Sequence, residues 1–93
     1  MVLAEHRKQI EEIDEKIIKL IDQRIEVSKR IFEAKRAENR PISDPEREKL
    51  VLGKATDLAT ELNLDAGAVR DIFKILIRMS VQKQHDMHGR NQG

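Results

Sequence analysis

Arg24, Lys35, Arg47, Ser80 and Gln84 have the types and spacing to hold an anion between helices. Arg24 falls inside the stripe Ile10, Ile13, Ile17, Leu20, Arg24, Val27, Ile31, whose steps alternate between three and four residues. That rhythm marks the buried seam of a long amphipathic helix. A guanidinium keeps its proton, so burying it without an anion is costly. Its counter-charge is either a protein carboxylate, such as Glu11 or Asp14 of a packed partner helix, or a carboxylate that belongs to a ligand. Lys35 lies about three turns further on and points in nearly the same direction, ~16 Å along the axis.

A second stripe, Val69, Ile72, Phe73, Leu76, Ile77, continues at the same spacing into Ser80 and Gln84, where apolar residues belong. Arg47 and Glu48 fall in the first turn of another helix, where a cation opposes the helix dipole and a ligand carboxylate would account for it. Each feature has an ordinary alternative. Lys35 can be a solvated lysine, Ser80 and Gln84 can mark the end of a packed region, and Arg47 can pair at the surface with Asp44 or Glu48 for about 0–1 kcal/mol. Together they predict a polar pocket between helices.

The chemistry open to such a pocket is limited. There is no Ser/His/Asp arrangement, no nucleophile with an adjacent base and no phosphate-cradling glycine loop. His85 and His88 share a helix face but have no third ligand beside them, so neither a metal nor a cofactor is expected. An enzyme built from these residues works by positioning and electrostatics. Arg7 adds a geometric constraint, because it precedes Arg24 by about 25 Å on a straight helix. A small ligand held by Arg24 and Lys35 cannot reach the Arg7 of the same chain. If Arg7 serves that pocket, it comes from a second chain running antiparallel.

The elements that position these residues are three helices, one very long and two shorter. The first, roughly Val2 to Asn39, has no Pro or Gly and carries the seam along almost its whole length. At about 55 Å it is long for its chain and needs a partner along most of that length. Arg40-Pro41 ends it. The second helix begins either with Asp44 as N-cap and Pro45 at the first position, or with Ser43 and Glu46 as a capping box, and runs through Gly53 to about Leu62. Asp65 caps a third helix from about Ala66 to Met87, and residues 88–93 are expected to fray. No strand pattern is present.

Ninety-three residues make a single small domain, for which oligomerisation is a natural route to stability. With 18 basic against 17 acidic residues and only Phe32 and Phe73 as aromatics, the chain lacks the basic patches and stacking platforms of a nucleic-acid binder. The absence of cysteine excludes disulfides and thiolate chemistry. No stretch reaches the ~18 apolar residues of a membrane span and the N-terminus has no signal-peptide core, so a cytoplasmic protein is expected.

The ordered set Arg7, Ile13-Asp14-Glu15-Lys16-Ile17, Arg24, Lys35, Arg40-Pro41, Asp44, Arg47-Glu48, Ser80, Gln84 resembles the all-helical chorismate mutases. It looks most like the small mutase domain of bacterial bifunctional phenylalanine-pathway enzymes and of free-standing archaeal proteins, over about residues 5 to 85. The resemblance implies an all-α, intertwined homodimer with two equivalent sites, which rearranges chorismate to prephenate on the way to phenylalanine and tyrosine. It implies that Arg7 crosses from the partner chain to a substrate carboxylate while Arg24 binds one from within the chain. Lys35 and Gln84 would donate to the ether oxygen, Arg47 and Ser80 would complete the carboxylate contacts, and Glu48 with Asp44 would hold the ring hydroxyl. With no dehydratase or dehydrogenase domain in the sequence, a monofunctional mutase is expected. The nearest alternatives are an isochorismate-pyruvate lyase on the same fold and a non-catalytic helical dimerisation module.

Overall fold

The computed structural model describes residues 2–92. It consists of three helices, α1 (Val2–Ala37), α2 (Pro45–Glu61) and α3 (Ala66–Gln92), with no strand among the described residues. The all-α class and the three elements are as the sequence predicts. No helix among the described residues is long and apolar enough to cross a membrane.

The boundaries have local causes. Asn39 sits at φ 57°, the Asn39 amide donates to the Arg36 carbonyl (3.2 Å) and the Arg40 amide to the Lys35 carbonyl (2.7 Å). This pair of bonds around a left-handed residue is a Schellman stop, so α1 ends at Ala37, before Pro41 acts. The same device closes α2: Asn63 is at φ 58°, with Asn63 N–H to the Thr60 carbonyl and Leu64 N–H to the Ala59 carbonyl. Asparagine tolerates this conformation better than other residues bearing a Cβ. At the start of α2, Asp44 Oδ1 accepts from the Arg47 amide (3.2 Å) with Pro45 in the first turn. Asp44 is therefore the cap, and the Ser43 capping box is not formed. Asp65 caps α3 through the Ala68 amide at 3.0 Å.

The third helix runs past its expected end at Met87. It continues to Gln92, and Gly93, the end of the segment expected to fray, lies outside the described residues. Nothing in the segment breaks a helix, since Gly89 costs only about 1 kcal/mol. The His88 ring also meets Phe32 of α1 edge-on, with centroids 6.3 Å apart.

α3 packs against both α1 and α2. Contacts between α1 and α3 advance together, from Arg24 with Leu76 and Ser80 to Lys35 with Gln84, so these two helices run parallel, and α2 brings the chain back along the other side of α3. The buried apolar set of one chain is small: Phe32, Ala55 and Ala59. By contrast, residues 2–20 of α1 are exposed throughout, and the seam there is bare, with Ile13 49% and Leu20 60% exposed. The molecule is accordingly elongated, 56 × 27 × 16 Å.

Candidate active site

A cavity of about 420 Å³ lies where the C-terminal half of α1, the first turns of α2 and the middle of α3 converge. That size falls within the ~300–1,000 Å³ of small-molecule sites. Seven of the eight predicted site residues line it: Arg24, Lys35, Asp44, Arg47, Glu48, Ser80 and Gln84. Its walls are apolar, supplied by Val27, Ile31, Val51, Ile77 and Val81 among others. The eighth predicted residue, Arg7, lies on the bare stretch of α1 beside Leu3, Ala4, Lys8 and Glu11, apart from the cavity of its own chain.

Arg24 is held by one nitrogen only. Nη1 donates to the Leu76 carbonyl (3.0 Å) and to Ser80 Oγ, which uses both of its protons. Nε and Nη2, the edge suited to bidentate carboxylate binding, have no protein partner among the described residues. No carboxylate of the chain is within ion-pairing distance of Arg24 among those residues. Burial alone lowers its pKa below the ordinary arginine value, because the charged form is desolvated. Within one chain, then, the counter-charge sought by the seam arginine is not supplied.

Lys35 and Gln84 form a matched pair. Lys35 Nζ donates to the Ile42 carbonyl (2.6 Å) and to Gln84 Oε1 (3.2 Å), leaving one of its three protons uncommitted. An ammonium can only donate, so Gln84 must turn its oxygen to Lys35 and its amide nitrogen elsewhere. Gln84 is only 4% exposed, and Nε2 has no protein partner among the described residues. Two donors of one small region are thus oriented with protons to spare.

The charges lining the cavity are four cations, Arg24, Lys35, Arg40 and Arg47, against three carboxylates, Glu38, Asp44 and Glu48. Asp44 spends one oxygen on the α2 cap, and no ion pair joins Arg47 to Asp44 or Glu48 among the described residues. The surface pairing open to Arg47 in sequence is therefore not used.

Two contributors escape a reading of side-chain types along stripes. Ser28 is buried, with Oγ 2.8 Å from Ser80 Oγ and 2.9 Å from the Arg24 carbonyl. It is one position past Val27 of the seam, and a serine on a charged helix draws no notice; its four-residue step from Arg24 was the available signal. The other is the Ile42 carbonyl, a backbone acceptor in the α1–α2 turn that fixes Lys35.

The family profile described as chorismate mutase type II matches residues 6–85. Among curated proteins, the chain is 45% identical over 85 residues to a chorismate mutase of Methanocaldococcus jannaschii, covering 89% of this chain and 86% of that protein. It is 37% identical over 82 residues to a bifunctional chorismate mutase/prephenate dehydratase of Buchnera aphidicola subsp. Schizaphis graminum, covering 88% of this chain but 21% of that protein. The corresponding bifunctional protein of Escherichia coli is 32% identical over 78 residues, again with the chain spanning about a fifth of its length (20%). A profile match over most of the chain and a relative matched along nearly its whole length agree with the convergent, anion-seeking pocket: the chain belongs to the chorismate mutase type II family.

Proposed function

We propose that the protein rearranges chorismate to prephenate by a [3,3]-sigmatropic shift, in a cavity completed by a second copy of the chain. The observation that carries this reading is the Lys35–Gln84 pair, whose mutual hydrogen bond aims a spare ammonium proton and a spare amide proton from one place. The rearrangement needs no nucleophile, acid, base or metal. As the ether C–O bond breaks, negative charge gathers on that oxygen, and donors already fixed there stabilise the transition state more than the substrate.

The remaining residues suit the rest of the molecule. Chorismate is a flexible dianion, and clamping both carboxylates selects the compact reactive conformer. The unpartnered edge of Arg24 takes one carboxylate, with the Ser80 hydroxyl beside it. Arg47, at the mouth of α2, and Arg7 of a second chain complete the anion contacts, while Glu48, with Asp44, accepts from the ring hydroxyl. The lining carries four cations against three carboxylates, and a second chain's Arg7 raises the excess to two, the charge of the substrate.

The same pairing argues for an intertwined homodimer. The exposed seam of residues 2–20 needs an apolar partner, and an antiparallel second α1 both covers it and carries Arg7 the ~25 Å to the cavity. We take the chain as one mutase domain, acting in the cytoplasm without a cofactor.

Product analysis tests the reaction. Supplied separately with chorismate and isochorismate, the protein is expected to yield prephenate from the first and no salicylate from the second. Salicylate with pyruvate from isochorismate, and no prephenate, points instead to the lyase. Turnover of neither substrate points to the dimerisation module.

The pH profile tests the role of Gln84. A neutral amide donates at any pH, so activity should hold from neutral into mildly alkaline conditions. In Gln84→Glu, the carboxyl beside Lys35 ionises readily and an ionised carboxylate cannot donate. At neutral pH the variant is expected to lose about a hundredfold in kcat, with recovery as the pH falls and the carboxyl is protonated. A variant with a flat profile at wild-type rate contradicts the assignment.

A further inference from the structure

We infer that Ser28 is a positioning residue that turns the Ser80 proton into the cavity, an inference that rests on the reaction proposed above. Ser28 Oγ sits between two acceptors, Ser80 Oγ at 2.8 Å and the Arg24 carbonyl at 2.9 Å, and is buried among them, 4% exposed. A hydroxyl has one proton and two lone pairs, so only two arrangements satisfy the cluster. In the first, Ser28 donates to the Arg24 carbonyl and Ser80 donates to Ser28, leaving no proton for a ligand. In the second, Ser28 donates to Ser80. Ser80 Oγ then accepts from both Ser28 and Arg24 Nη1, its lone pairs are filled, and its own proton must point away from them, toward the cavity that Ser80 lines.

The second arrangement leaves little unsatisfied. The Arg24 carbonyl loses the Ser28 hydroxyl but keeps its place in the α1 ladder, where the amide four residues on donates to it. A carboxylate beside Arg24 supplies the acceptor that favours this arrangement, so substrate binding reverses the direction of the two hydroxyls by rotation alone, with no proton transferred. Without Ser28, the Ser80 hydroxyl has another acceptor, the carbonyl four residues back. That carbonyl is Leu76, which Arg24 Nη1 already uses. Losing Ser28 therefore withdraws a donor from the carboxylate and loosens the anchored end of Arg24 together.

A carboxylate contact of this kind is made equally in substrate and transition state, so its loss raises KM and leaves kcat nearly unchanged. The experiment is a double-mutant cycle of Ser28→Ala and Ser80→Ala on the full chain, reading KM and kcat for chorismate together with Tm. Ser28→Ala is expected to raise KM about three- to tenfold, the effect of one hydrogen bond, with kcat within about twofold. Its Tm should stay level or rise, because alanine is the better helix former. In the Ser80→Ala background the same substitution should leave KM almost unmoved, since Ser28 acts through Ser80. Independent, additive effects overturn the inference, as does an unchanged KM in Ser28→Ala. A lowered Tm or failure to fold assigns Ser28 a packing role instead. A wild-type protein that does not turn over chorismate refutes the proposed reaction and this inference with it, whereas an active wild type with an additive cycle refutes the inference alone.

Discussion

Lys35→Ala is expected to lower kcat about a thousandfold while the protein remains folded, read from steady-state chorismate consumption and circular dichroism. The size follows from the task. Removing one fixed donor from a developing oxyanion typically costs about 10²–10³ in rate, and Lys35 contributes a full charge as well as a proton. In the proposed reaction it also orients its neighbour, because the Lys35–Gln84 bond would keep the Gln84 oxygen off the ether. In the alanine variant the amide is free to rotate, and the second donor is lost for part of the time. Stability is spared because Lys35 is only partly buried and water can replace it at both acceptors: the Ile42 carbonyl lies in the half-buried bend before α2, and Gln84 Oε1 borders the vacated space. A Lys35→Ala enzyme within tenfold of wild type contradicts the oxyanion role.

Arg24→Leu is expected to separate activity from stability more sharply. The substitution restores the apolar residue that the seam from Ile10 to Ile31 demands, and removes a guanidinium that burial already disfavours in the charged form. The groups left behind are covered: the Leu76 carbonyl belongs to the α3 ladder, and Ser80 Oγ still has Ser28. Tm should therefore stay level or rise by a few degrees. kcat/KM should fall by about three orders of magnitude, since a desolvated bidentate charge pair is worth roughly 2–5 kcal/mol and its loss also frees the substrate conformer. That outcome would mark the wild-type arginine as a stability cost of the empty site, offset when the dianion of the proposed reaction binds. A stability loss comparable to that of cutting into a packed core would show that Arg24 serves the fold instead.

How much of this was legible in the sequence differs by residue and for physical reasons. Arg24, Ser80 and Gln84 stood out because a periodic apolar stripe sets an expectation at each position, and a polar residue there breaks it. Asp44 was readable as a cap from its place before Pro45, although the Ser43 alternative needed backbone geometry to dismiss. Ser28 carried no such contrast, since its position flanks the seam and serine is unremarkable on a charged helix. The Ile42 carbonyl could not be read at all, because every residue has a carbonyl and only the turn made by Asn39 selects this one. The C-terminal helix was underestimated for a similar reason: the Phe32–His88 contact that accompanies it joins residues 56 positions apart, and no local pattern reports it. The bare half of α1 follows from the sequence, since a seam this long in so short a chain exceeds what its own partner helices can cover.

A cavity shared between two chains is central to the proposed function, and complementation tests it most directly. Arg7→Ala and Lys35→Ala homodimers are each expected to be nearly inactive. Refolded together in equal amounts, half of the dimers pair one of each, and in every such dimer one site keeps both residues. Chorismate turnover should then return to about one quarter of the wild-type rate at equal total protein. A mixture no more active than its two components, with chain exchange verified, would contradict the shared site and leave Arg7 without a role in it.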